Sequence, residues 1–254
     1  PTGATHIFMT SLLKLIREQE PDLLCVAMEG RGETFRHKIN SDYKANRTMP
    51  PDDFTVQRLR IEQILDAMNI PILRVPGFEA DDIIGTVARY AQEDGIEVVI
   101  CSKDKDMLQL VDKGIQVFYA KTGEYLKESD VVEKFGVEPC YVVDCLALQG
   151  DAADNVIGVP GIGLKTAAKL ICKYGSIEDI LIHLDELKGK QQANLMECRD
   201  KLIMNKILVT IDCEVPMEID YDDFVLDGYD EVTLWAIFTE LGFNQLKVQM
   251  DLEV

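Results

Sequence analysis

The chain has 254 residues, 45 of them acidic and 26 basic, for a formal net charge of −19. That length suffices for one large domain or two smaller ones. So acidic a balance argues against a nonspecific nucleic-acid binder of the usual basic kind, and no apolar stretch approaches the roughly 20 residues that cross a membrane.

The first segment, "PTGATHIFMTSLLKLIREQE", is an amphipathic pattern with charges inside it, not a signal peptide. "LLCVAM" (23–28), "ILRV" (72–75), "EVVICS" (97–102) and "IQVFYA" (115–120) are short, apolar, β-rich runs and predict buried strands. Helical patterns lie between them at 55–69, 80–95 and 105–111. Strands alternating with helices imply a mainly parallel central sheet, whose active groups collect at the strand carboxyl ends. After Gly123 strand-like runs stop. "ESDVVEKFG", "PCYVVDCLALQG", "LKTAAKLICKYG", "SIEDILIHLDEL" and "QQANLMECRDKLIMNKILVTI" read as helices, and "YDEVTLWAIFTELGFNQL" as one more. Gly136, Gly150 and Gly175 stand where helices should end. The expectation is an α/β domain over 1–123 and an all-helical one over 124–254. The seven cysteines are scattered without a C-x-x-C, and the three histidines stand far apart. This argues against zinc and fits buried free thiols in a reducing cytosol.

Three acidic clusters carry the chemical signal. In "GFEADDIIGT" a helix start puts Glu79 and Asp82 on one face and turns Asp81 elsewhere. In "CSKDKDMLQL" Asp104 and Asp106 follow a predicted strand and project to one side if the chain stays extended. In "GDAADN" Asp151 and Asp154 are again i and i+3, and Glu29 follows "LLCVAM" directly. Each cluster alone is explained by helix-start charge or turn chemistry. Together they form an oxygen-rich group able to hold Mg²⁺ ions, which take carboxylates and water, and two such ions clamp the reacting oxygens of a phosphodiester.

"GVPGIGLKTAAKLI" (158–171) has the glycine spacing of a Walker A loop, but Leu164 intervenes before Lys165 and Thr166, so the nucleotide reading fails by one residue. What remains is a tight Gly161–Gly163 turn opening a helix, either a plain connector or a holder of backbone phosphate. "TFRHKINSDYKANRTMPP" (34–51) gathers Arg36, His37, Lys38, Lys44 and Arg47 around Tyr43. It is either a solvated loop or a phosphate-contacting stretch.

These motifs, in this order, resemble the 5′-nuclease domain of bacterial DNA polymerase I and related flap endonucleases. The resemblance runs over nearly the whole chain. It implies a PIN-like α/β domain followed by a helical domain with a helix-hairpin-helix. It also implies Mg²⁺- or Mn²⁺-dependent 5′–3′ exonuclease and flap-endonuclease hydrolysis with two or more ions, and K⁺ at the hairpin. The implied partners are DNA with 5′ ends, flaps or nicks and RNA primer–DNA, in replication and repair, by a cytoplasmic monomer that a polymerase can follow. Carried over by position, Glu29, Glu79, Asp81, Asp82, Asp104, Asp106, Asp151 and Asp154 are the implied metal ligands, and Lys44 and Arg47 the implied catalytic bases. Arg36, Tyr43 (as a stacking ring), Gly161, Gly163, Lys165 and Thr166 are implied DNA contacts. Three departures stand out. The family's first strand, ending in Asp-Gly, would precede "PTGA" and is not in this sequence. Glu29 stands where Asp is usual, which moves the carboxylate outward by about 1.5 Å. Lys103 replaces a small glycine and is expected to bring a charge into the cluster. A noncatalytic DNA-binding remnant and a PIN-type ribonuclease remain as rival readings.

Overall fold

The computed structural model describes residues 2–252. In chain order it contains α1 (Gly3–Gln19), β1 (Val26–Ala27), α2 (Phe35–Ile39), α3 (Asp52–Ala67), β2 (Ile72–Leu73), α4 (Ala80–Glu93), β3 (Val98–Cys101), β4 (Ile115–Tyr119) and β5 (Glu124–Leu126). There follow α5 (Glu128–Phe135), α6 (Val142–Gln149), β6 (Gly150–Asp151), β7 (Val156–Ile157), α7 (Leu164–Tyr174), α8 (Ile177–Ile182), α9 (Gly189–Glu197), α10 (Arg199–Val209), α11 (Glu231–Leu241) and α12 (Asn244–Gln249). Among the described residues no helix is long and apolar enough to cross a membrane.

The chain forms two compact units from interleaved segments: residues 1–28, 48–74 and 216–254 in one, and 29–47 with 75–215 in the other. The first unit is a helical cluster around a parallel β1–β2 pair, Val26 beside Ile72 and Ala27 beside Leu73. The apolar stripe of α1, with Met9 and Leu12, packs with Ile61, Ile64 and Leu65 of α3 and with Leu234 and Phe238 of α11. This is how an amphipathic helix gains its stability, by removing one face from water.

The second unit carries the sequence-predicted functional residues. Its sheet runs β3-β4-β5, with β3 parallel to β4 and β4 antiparallel to β5. Ile100, Ile115 and Val117 bury against Met107, Leu108 and the helices α5–α7, in a core that includes Leu146, Leu148, Ala167 and Ile171.

Several elements differ from expectation. Strand structure does not stop at Gly123: that residue, at φ 74°, turns the chain back into β5. The 105–111 pattern is a 3₁₀ helix over Lys105–Leu110. The long helix expected after Gln191 breaks at Cys198 into α9 and α10. The tail breaks at Gly242, whose φ of 72° ends α11 before α12, as a left-handed glycine does. The thiols are free, but only Cys145 is buried; Cys101, Cys140 and Cys172 are exposed. In β3, Cys101 alternates with buried Ile100 and so faces outward.

Candidate active site

Helix α4 begins at the "EADD" cluster. The Asp82 carboxylate accepts from the backbone N–H of Glu79 at 3.0 Å, closing the first turn. It is fully buried and meets Arg36 bidentately, at 2.7 and 2.6 Å. It also accepts from the Asp212 N–H at 2.9 Å. Arg36 is itself 2% exposed and donates onward to the carbonyls of Leu208 and Thr210. A fork-to-fork pair of this kind is the strong form of a buried ion pair. Two expectations are corrected here. Arg36 has no free face for DNA, and Asp82 has its oxygens filled by donors, so neither is available as predicted. The reason is tertiary: each is the other's counter-charge.

Glu79 stays on the Arg36 side with Asp82, its Oε2 3.5 Å from Arg36 Nη1. Glu79 is 4% exposed and its Oε1 lies 2.8 Å from Lys44 Nζ. Asp81 is half-buried, and its carboxyl is pushed up to about 7 by burial first and then by Asp104, Glu79 and Glu29. Burial and Glu79 likewise raise the Glu29 carboxyl. Like charges crowded in a low-dielectric setting hold protons or seek cations.

The 104–106 turn is not extended. Asp104 accepts from the Asp106 N–H at 3.0 Å and starts the 3₁₀ helix, so the two side chains do not form an extended-strand pair. Asp106 Oδ1 is buried without a hydrogen-bond partner. Its carboxyl is pushed up to about 7 by burial, Asp104 and Asp151. Asp151 is 4% exposed; it accepts from the Ala153 N–H at 2.8 Å and lies 2.7 Å from Lys105 Nζ. The cation brought into this part of the cluster is therefore Lys105. Lys103, expected to supply it, is exposed like Lys105 but forms no ion pair among the described residues.

The 40–47 loop is stitched to the 151–155 loop. The Lys44 N–H donates to the Asp154 carbonyl at 3.0 Å, Asn46 donates to the Ala152 carbonyl at 2.7 Å, and Asn155 to the Asp42 carbonyl at 2.7 Å. Arg47 pairs with Asp154 at 2.5 Å, and Lys44 Nζ lies 3.8 Å from the same carboxylate. The Tyr43 hydroxyl lies 2.9 Å from Asp154 and 3.1 Å from Glu79. Burial and these two anions push its phenol far up, so it stays protonated. The ring is 2% exposed and meets His37 edge-on. The stacking role predicted for it is corrected, because no ring face is open to a base.

Among the described residues, no three His, Cys, Asp or Glu side chains converge as a ready-made cation cage. The acids instead hold Lys44, Arg47 and Lys105. The donor set still fits a hard cation: it is all oxygen, over-supplied with negative charge, and contains one buried oxygen with nothing to accept. The hairpin lies in the same unit. Gly161 has φ 79° and Gly163 precedes α7; both are exposed, with Lys165 exposed and Thr166 half-buried behind them.

Two features escaped the sequence reading. Gly150 and Gly158 touch backbone to backbone at the neck of the loop carrying Asp151 and Asp154. Buried Asn205 staples that neck by donating to the carbonyls of Ala147 and Ile157. The glycine spacing was visible in the sequence, but Asn205 lies far along the chain and carried no signal.

Comparisons with known proteins bear on the family and the fold. The model of the 5′–3′ exonuclease N-terminal resolvase-like domain matches residues 1–136, and that of the 5′–3′ exonuclease C-terminal SAM fold matches residues 137–232. The chain belongs to the 5′–3′ exonuclease family. Among curated relatives, DNA polymerase I of Bacillus caldotenax is 37% identical over 98% of this chain. DNA polymerase I of Bacillus subtilis (strain 168) is 37% identical over 96%. The chain spans 29% and 28% of the length of these two relatives. Among solved structures, zinc-bound T5 5′-exonuclease has a TM-score of 0.70 at 23% identity, covering 94% of this chain and 90% of that one. The catalytic core of Rad2 in complex with DNA substrate has a TM-score of 0.60 at 17% identity, covering 97% and 84%. These two likenesses show the fold.

Proposed function

We propose that this 5′–3′ nuclease acts structure-selectively on DNA with 5′ ends, flaps or nicks, including RNA primer–DNA, and depends on two or more Mg²⁺ or Mn²⁺ ions. The observation that carries the reading is the meeting of Lys44 and Arg47 with Glu79 and Asp154: phosphate-type bases sit directly on a surplus of carboxylates in one unit. Glu29, Glu79, Asp81, Asp104, Asp106, Asp151 and Asp154 would hold the ions. Bound there, divalent cations supply an activated water and polarise the phosphoryl oxygens. Lys44 and Arg47 stabilise the charge that develops on the phosphate, and because they are already held in place they need not reorganise as the reaction proceeds. Tyr43 donates its one hydrogen into the cluster, between Glu79 and Asp154. The exposed Gly161–Gly163 turn, with Lys165 and Thr166, grips duplex backbone without reading bases and is the place for K⁺. The division of labour is catalysis by residues within 1–123 and duplex binding by residues within 124–254, with Asp151 and Asp154 lent to the catalytic side. The T5 and Rad2 likenesses, one zinc-bound and one DNA-bound, support this reading.

The test is Mg²⁺ titration with a 5′-flap DNA, a nicked duplex and single-stranded RNA. Metal-dependent cutting of the flap is expected. Binding without cleavage would support the DNA-binding remnant, and preferential cutting of the RNA would support a ribonuclease.

A further inference from the structure

Lys105 lies between two predicted ligands, yet its ammonium does not stay with them. Nζ reaches across to Asp151 Oδ2 at 2.7 Å, joining the 104–106 turn to the 151–155 loop. Asp151 is buried, and this ammonium is its only charged partner within ion-pair distance among the described residues. Beside it, Asp106 keeps a buried oxygen with nothing to accept. Lys105 itself is nearly half exposed, so it can leave without unpacking the core. A second cation arriving at Asp151 would meet a like charge on Lys105.

We propose that Lys105 is a resident counter-ion: it holds Asp151 against the 104–106 turn when the site is metal-free, and it competes with the divalent cation for that carboxylate. It is a positioning residue that sets how tightly the cation is held. This rests on the metal-dependent reading above. Swinging out, the ammonium passes to solvent at the mouth of the site; no bond is made or broken.

The test is direct Mn²⁺ binding by electron paramagnetic resonance, together with melting temperature in EDTA, on the whole chain. Lys105→Met keeps the stem and removes the charge. It should melt lower in EDTA yet bind Mn²⁺ about tenfold tighter, the order of effect of one unit charge at a partly exposed site. Lys105→Arg should match the wild type in both readouts. A purely structural lysine would lower melting and leave Mn²⁺ affinity unchanged or weaker, and that result overturns the proposal. If Lys105→Met does not fold in EDTA, it is folded in Mn²⁺ and the ion is titrated out; release at the wild-type concentration equally overturns it. Failure of the wild type to bind Mn²⁺ at all would instead sink the metal-dependent reading.

Discussion

Gly150 and Gly158 pack with no room for a side chain on either. A Cβ on Gly150 would sit 2.3 Å from the Gly158 nitrogen, and one on Gly158 would sit 2.2 Å from the Gln149 carbonyl carbon. The obstacles are backbone, so nothing can swing aside. Gly150 also has φ 81°, which favours glycine. Gly158→Ala should therefore cost about 2–4 kcal/mol in urea unfolding. It should also depress cleavage beyond the stability loss, because the loop beyond this neck carries Asp151 and Asp154. A midpoint within error of wild type would refute the close approach.

Arg36→Met should be the most destabilising single change in the basic stretch. It leaves the fully buried Asp82 without its fork, a loss of about 3–5 kcal/mol. Arg36→Lys should recover little, because an ammonium cannot reproduce two parallel donors. Arg47→Ala should behave oppositely. Its side chain is 53% exposed, so stability should hold within about 1 kcal/mol, while DNA affinity falls and the salt slope of log K shrinks by about one. Equal destabilisation by the two variants would contradict their assigned places.

Asp81 and Asp106 give the metal-free protein a signed pH dependence. Both carboxyls are raised from 3.8 to about 7 in the folded state. Between those values the folded form binds more protons than the unfolded form, so these groups make stability fall as pH rises through that window. Above about 7 both states are ionised and the penalty is complete. Melting in EDTA should therefore decline from pH 5 to pH 8, and Mg²⁺ should raise it more at pH 8 than at pH 5. A melting temperature equally responsive to Mg²⁺ at both values would show that the cation binds elsewhere.

Lys44→Ala should lower kcat about 100-fold, the effect of removing one preorganised donor from developing charge, without weakening Mn²⁺ binding. Asp104→Ala should abolish cleavage and leave flap binding intact. Cleavage at the wild-type rate in Asp104→Ala would remove Asp104 from the site.

Much of this molecule was legible because its signals are local. β3 and β4 are short runs of mostly apolar residues, and Gly136, Gly150, Gly175 and Gly242 mark helix ends at positive φ. β5 was missed because three residues after a tight turn show no period. The site divided along the same line. The acidic clusters stand out by spacing, but spacing does not say which acid is paired inside the protein. Asp82 and Arg36 have the same letters as ligands and phosphate contacts; only their meeting inside the protein makes them structural. Lys105 carries no sequence signal of its own, because it stands between two acids while its partner is Asp151 on another loop.

The Tyr43 hydroxyl offers one hydrogen to two acceptors, Glu79 and Asp154. When it faces one, the other keeps only its cations, Lys44 at Glu79 and Arg47 at Asp154, so the two sides behave as ends of a seesaw with the phenol as pivot. Whatever neutralises Glu79 tips the hydrogen to Asp154, and the reverse. A change on the α4 side of the site is thereby felt on the 151–155 side without any movement of backbone, and Tyr43→Phe would cut that line while leaving every charge in place.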